Sequence, residues 1–142
     1  MKKILFTLTF TTLLFVGCSS NSDDDSNTQQ TNPATTQYFH PPTWIQGSWG
    51  YSNGTTLVKS HRFTNNDFLI TNGNNETSYK GAISSHPYGG SVDETIDASN
   101  YNFTIKYNNT PTTQSFEFKK ISSTQIQWKN TGNNVWYDLF KM

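Results

Sequence analysis

The sequence predicts an all-β fold, a small antiparallel up-and-down β-barrel of about eight strands, on three observations. The first is composition: Thr contributes 21 and Asn 16 of the 142 residues and aromatics 15%, while the usual helix formers are scarce. Thr and aromatic side chains suit a pleated strand, and Asn with Gly suits the turns between strands, so an all-α fold and a doubly wound α/β fold are both disfavoured. The second is alternation. Tyr101, Phe103, Ile105 and Tyr107 alternate with Asn102, Thr104 and Lys106; Phe116 and Phe118 alternate with Ser115, Glu117 and Lys119; Ile126 and Trp128 alternate with Gln125, Gln127 and Lys129. One apolar face and one wet face require a sheet that curls on itself or is capped by a second sheet. The third is spacing, because turn chemistry recurs every eight to twelve residues or about that, as in a sandwich or barrel.

The elements follow in order. Met1-Lys2-Lys3 is a positive n-region and residues 4–16 are apolar, so 1–17 reads as a signal peptide, too short for the ~20 residues a membrane-spanning helix needs. The stretch ends Phe15-Val16-Gly17-Cys18, and Cys18 is the chain's single cysteine, so no internal disulfide competes for its thiol. Residues 18–40 are dominated by Ser, Asn, Asp, Thr and Gln and include the acidic run Ser22-Asp23-Asp24-Asp25. Such a segment buries too little to offset its ordering entropy and is expected to be a disordered tether, spanning roughly 25 Å end to end.

The barrel domain is expected over 41–142, with strands at 47–52, 55–64, 68–72, 77–84, 91–96, 101–107, 113–121, 125–129 and 135–140. Asn53-Gly54, Asn65-Asn66, Gly73-Asn74-Asn75, Asn108-Asn109-Thr110-Pro111, Ser122-Ser123 and Thr131-Gly132-Asn133-Asn134 punctuate them. Connections this short make neighbouring strands antiparallel hairpins. No segment has a helical period, although 93–99 has room for one turn of helix.

Charge and motifs exclude several function classes. Lys and Arg balance Asp and Glu at 10 each, and removing Lys2 and Lys3 with the leader leaves a slight acidic excess, which is no footprint for nucleic acid. His40, His61 and His86 have no metal-ligand spacing, and there is no Gly-x-Ser-x-Gly elbow, phosphate loop or dinucleotide motif. Asp93, Glu94 and Asp97 cluster, but a solvated loop explains them without paired-carboxylate chemistry. No catalytic residue, cofactor or metal is therefore assigned. What remains is aromatic content. Most aromatics fill the core of a small barrel, while Tyr51, Tyr79, Tyr88, Trp128 and Trp136 are candidates to line an open mouth, where phenol and indole groups meet a ligand.

Three phrases carry family resemblances. Phe15-Val16-Gly17-Cys18 resembles the lipobox of bacterial lipoproteins, with Phe15 where Leu is preferred. That resemblance implies that Cys18 becomes the mature N-terminus and carries acyl chains, each buried methylene adding ~0.8 kcal/mol of membrane affinity. Ser22-Asp23-Asp24-Asp25 is similar to the surface-export signal of Bacteroidota lipoproteins. Gly47-Ser48-Trp49, at the start of the first strand, resembles the Gly-x-Trp of the lipocalins, whose Trp plugs the closed end of the barrel and whose Gly admits close backbone approach. That family stacks an Arg near the last strand on this Trp; the only Arg here is Arg62, so Lys141 or Lys129 is the expected substitute.

Together these readings predict a monomeric, lipid-anchored outer-membrane protein exposed at the cell surface, its lipocalin-like domain holding a small apolar or amphipathic ligand. The competing expectation is a pocketless domain that contacts another surface protein or serves the envelope structurally.

Overall fold

The computed structural model describes residues 37–142. The leader, Cys18 and the run Ser22 to Asp25 lie outside the described residues. The chain runs β1 (Gly47–Ser52), β2 (Leu57–Phe63), β3 (Phe68–Asn72), β4 (Asn75–Ser78), α1 (Tyr79–Ser85), β5 (Gly90–Ile96), β6 (Asn100–Tyr107), β7 (Thr113–Lys120), β8 (Gln125–Asn130) and β9 (Val135–Lys141). All nine strands form one sheet in the order β4-β3-β2-β1-β9-β8-β7-β6-β5, every neighbour antiparallel. The up-and-down prediction therefore holds, with the first and last strands joined as in a barrel.

Closure is incomplete at one place. Eight antiparallel steps separate β4 from β5 across the sheet, so these two edges run in the same direction. A hairpin would reverse the chain, so the connection is a helical crossover. α1 supplies it, and the sheet is a curled half-barrel rather than a closed one. This corrects the strand expected at 77–84. Ser78 caps the helix by accepting from Gly81 N at 2.8 Å, and Asp67 accepts from Lys80 N at 2.9 Å and from Ser78 Oγ at 2.6 Å. Two otherwise orphaned helix N–H groups are thereby satisfied. Tyr79 and Ile83, four residues apart, both turn to the core. No described helix is long and apolar enough to cross a membrane.

The helical turn allowed at 93–99 is also corrected: residues up to Ile96 are in β5, and Asp97 makes the β5–β6 turn by accepting from Ser99 N at 2.8 Å and Asn100 N at 2.6 Å. The amides complete an Asx turn that the Asp side chain can hold alone.

Alternation over β6 and β7 sends Tyr101, Phe103, Ile105, Phe116 and Phe118 inside, where Phe103 and Phe116 stack at 5.1 Å and Phe68 meets Phe116 edge-on at 4.9 Å. Packing starts before the composition shift: Phe39, placed in the tether by composition, is fully buried and meets Phe103 edge-on at 5.5 Å. Glu94 holds this lead-in, accepting from His40 N at 2.8 Å, pairing with His40 Nδ1 at 2.8 Å and accepting from the Tyr101 hydroxyl. Burial first, and the Glu94 carboxylate second, keep the Tyr101 hydroxyl protonated far above its ordinary range.

In the first half of β1, Trp49 is fully buried and donates Nε1–H to Ile45 O at 2.6 Å. Lys141 Nζ stands 5.4 Å over the Trp49 ring, so the stacking cation is Lys141, while Lys129 lies 5.8 Å from Trp136. Gly47 has φ +117°, and a Cβ there would meet Lys141 Cε at 3.3 Å. Both the backbone and the stacked Lys141 call for Gly at this position. Gly50 admits no side chain either, since its Cβ would fall 2.6 Å from Val58 O.

Candidate functional site

β1 and β9 pair only at Trp49↔Lys141 and Gly50↔Phe140, and above these two positions the strands diverge. The gap opens a cavity of about 260 Å³ lined by Tyr51, Ser60, His61, Ile70, Thr71, Trp128, Tyr137 and Leu139. Tyr51 and Tyr137 form its rim, 47% and 41% exposed, while Leu139 and His61 are buried. Register explains the inner wall. Leu139 faces Ile126 and Tyr137 faces Trp128 across β8–β9, so all four share the inner face.

A bulge brings His61 to the same cavity. Trp49 opposes His61 and Gly50 opposes Lys59, so Ser60 is an extra residue in β2. Such a bulge bends its strand and re-aims the neighbouring side chains. Here Ser60 and His61 both line the cavity, with Ser60 Oγ 2.8 Å from His61 Nδ1 and 3.3 Å from Trp49 O. The same shift lets Lys59 and Arg62 both reach Glu76 on the outer face, at 2.6 Å and 2.5 Å. Hydrogen bonds from Arg62, then Lys59, hold the Glu76 carboxyl at about 2, below the usual carboxylate range.

The His61 ring is caged by Trp128 at 5.1 Å, Phe118 at 5.7 Å and Phe68 at 5.9 Å. Burial lowers its pKa to about 4, so at neutral pH the imidazole is uncharged. It can exchange hydrogen bonds with a guest at neutral pH, but no carboxylate lines the cavity to make it a strong base.

Of the five aromatics singled out in sequence, the structure brings Tyr51 and Trp128 together here. Tyr79 lines a second hollow of about 380 Å³ that shares Trp128 as a wall and is otherwise mostly polar, including Gln114, Lys129 and Asn130. Tyr88, 61% exposed, and Trp136, 39% exposed, line neither. Composition and alternation did not single out Tyr137 or His61 as lining residues. A trace of the second existed, because Lys59 and Arg62 are three apart and can share the wet face of a strand only across a bulge.

The acidic cluster is dispersed. Asp93 ion-pairs with Lys106 on the outer face, Glu94 holds His40 and Tyr101, and hydrogen bonds from Ser99, then Asn100, hold the Asp97 carboxyl below its ordinary range. His86 caps the end of α1, its ring 5.0 Å from Tyr107. Among the described residues no group of three His, Cys, Asp or Glu is placed to hold a metal ion.

Compared with known proteins, the chain matches no family model, no curated protein and no solved structure.

Proposed function

We propose that this is a lipid-anchored, surface-exposed binding module of the outer membrane whose lipocalin-like domain holds a small apolar or amphipathic molecule in the β1–β9 seam. The observation that carries the binding reading is the apolar cavity of about 260 Å³, walled by Tyr51, Trp128 and Tyr137 and floored by Leu139. Ligand pockets are commonly concave, apolar and supplied with a few polar groups, and here those are Ser60 and His61. The lipocalin-like reading draws on Gly47, the buried Trp49 and Lys141 over its ring. Anchoring rests on the leader ending at Cys18, and surface exposure on Ser22, Asp23, Asp24 and Asp25.

The test is co-purification. The purified protein is incubated with lipid and cell extract, re-isolated and analysed by mass spectrometry alongside its tryptophan fluorescence. A bound small molecule with altered emission is expected; an empty protein with unchanged emission would overturn the binding reading. Anchoring is tested separately, since Cys18→Ala should abolish detergent-phase partitioning. Replacing Asp23, Asp24 and Asp25 by Ala should remove the protein from the reach of protease added to intact cells, without lowering its amount.

A further inference from the structure

The seam has an unused strand edge beside its cavity. Met142 N–H reaches Ser48 O on β1 at 3.0 Å, whereas Lys141 N–H turns the other way, to Thr124 O at 2.9 Å. Main-chain groups alternate sides along a strand, so Trp136 and Asp138, in step with Met142, aim their N–H and C=O groups at the seam. β1 follows β9 only as far as Gly50↔Phe140, and beyond that point Tyr51 and Ser52 stay with Val58 and Leu57 of β2. The main chain of Trp136 and Asp138 therefore has no strand partner on this side among the described residues.

Free edges invite pairing with another chain unless something blocks it. The two ends of the sheet are blocked. β4 is only four residues long, and β5 turns the Glu94 carboxylate inward, where the lead-in overlies it and His40 N–H donates to it at 2.8 Å. The seam edge of β9 has neither device, and the cavity lies under its middle residue, Tyr137. A free ladder gives a peptide affinity, and a pocket at the alternate position gives it specificity.

Register states what each position of such a peptide meets. A strand continuing the direction of β1 sets one residue opposite Tyr137, the residue before it opposite Asp138 and the residue after it opposite Trp136. Facing residues share a face, so the residue opposite Tyr137 points into the cavity and its two neighbours bond to β9 and point outward. Roughly 150 Å³ accepts benzene, so about 260 Å³ has room for one Phe- or Trp-sized side chain, and no charged side chain lines it. On the outer face Asp138 accepts from Gln127 Nε2 at 3.0 Å and, among the described residues, pairs with no cation. A cation opposite it is favoured.

We infer that the seam takes an extended peptide as an added strand antiparallel to β9, with an aromatic side chain in the cavity and a basic residue just before it, opposite Asp138. The inference rests on the binding reading above and names the ligand class within it, an amphipathic guest whose polar part is peptide main chain.

Calorimetric titration of the intact purified protein at pH 7 with the peptide acetyl-Thr-Lys-Phe-Thr-Thr-amide tests it, with naphthalene as the cavity probe. N-methylation of the Lys or of the Thr after Phe removes a hydrogen bond to β9 and should weaken binding about three- to tenfold; N-methylation of Phe, whose N–H turns away from β9, should cost less than either. Phe replaced by Ala should lose tenfold or more. Norleucine in place of Lys should lose about two- to fivefold, and Asp138→Asn should erase that difference. In hydrogen exchange the Trp136 and Asp138 amides should be open in the free protein and protected by the peptide, while the Tyr137 amide, bonded to β8, stays unchanged. Equal losses at the three N-methyl positions, unprotected Trp136 and Asp138 amides, or no peptide binding while naphthalene binds, would overturn the strand assignment and leave the cavity reading standing. Failure of both peptide and naphthalene to bind would overturn both.

Discussion

The β6–β7 and β1–β9 seams use similar residues to opposite ends. β6 and β7 pair without interruption from Asn100↔Lys119 to Lys106↔Thr113, and behind them Tyr101, Phe103, Phe116 and Phe118 are buried against one another. β1 and β9 pair at two positions and then part, and the aromatics beyond them, Tyr51, Trp128 and Tyr137, become the walls of a cavity. Aromatic identity is the same in both places. What differs is the covering neighbour: Trp128 and Tyr137 keep a continuous β8–β9 ladder, but β1 has parted from β9 beyond them, so no facing side chain closes over their rings.

The sharpest way to break the comparison is at Trp49, which belongs to the paired base of the short seam. Truncating a buried Trp removes its transfer energy and leaves a cavity, a loss of about 3 to 5 kcal/mol. Denaturant melts of Trp49→Ala should therefore lose about half of a typical domain's stability, whereas Trp128→Ala, already bordering open space, should lose less and Trp136→Ala least. A Trp49→Ala protein within about 1 kcal/mol of the wild type would mean that the base of the seam is not where stability resides.

A second test uses pH. His61 stays neutral in the fold down to about 4, whereas an unfolded imidazole protonates near 6.5. The unfolded chain therefore binds the extra proton first, and stability is full above pH 6.5 and falls as pH drops toward 4, by up to about 3 kcal/mol. Glu76, held at about 2 in the fold against an ordinary 4.5, adds a loss of the same sign as pH falls through that ordinary value, so the upper part of the window belongs to His61. His61→Phe should flatten the stability profile between pH 6.5 and 4.5; a profile that keeps its slope would place the titrating group elsewhere.

How much of this was legible in sequence follows from the same contrast. β6, β7 and β8 were readable because one apolar residue in two survives along their whole length, and the Asn-rich turns were readable because Asn tolerates the left-handed backbone, as Asn109 and Asn134 do at φ 62° and 58°. α1 was not. Tyr79 and Ile83 stand four apart, a spacing that fits both a strand and a helix, and the Ser78 cap was outweighed by Thr77 and the β-like neighbours. The cavity was invisible for a different reason. It depends on where the β1–β9 ladder stops and on the Ser60 bulge, and the glycine that stands at both, Gly50, reads in sequence as part of an ordinary strand.

Smaller effects sharpen the two ends separately. Lys141→Ala should remove the cation from the Trp49 ring for about 0.5 to 1 kcal/mol, without touching ligand binding. Ser60→Ala should cost about 1 kcal/mol by breaking the His61 bond, and should loosen the imidazole at the cavity floor.

The central claim, that the open seam and not the exposed aromatic surface receives the ligand, is tested most directly by calorimetric titration of naphthalene into Trp128→Ala and Trp136→Ala side by side. Trp128 walls the cavity and Trp136 does not. Affinity should fall about tenfold or more in Trp128→Ala, corresponding to roughly 1.4 kcal/mol or more, and stay at the wild-type value in Trp136→Ala. Equal losses in the two variants, or a loss confined to Trp136→Ala, would contradict it.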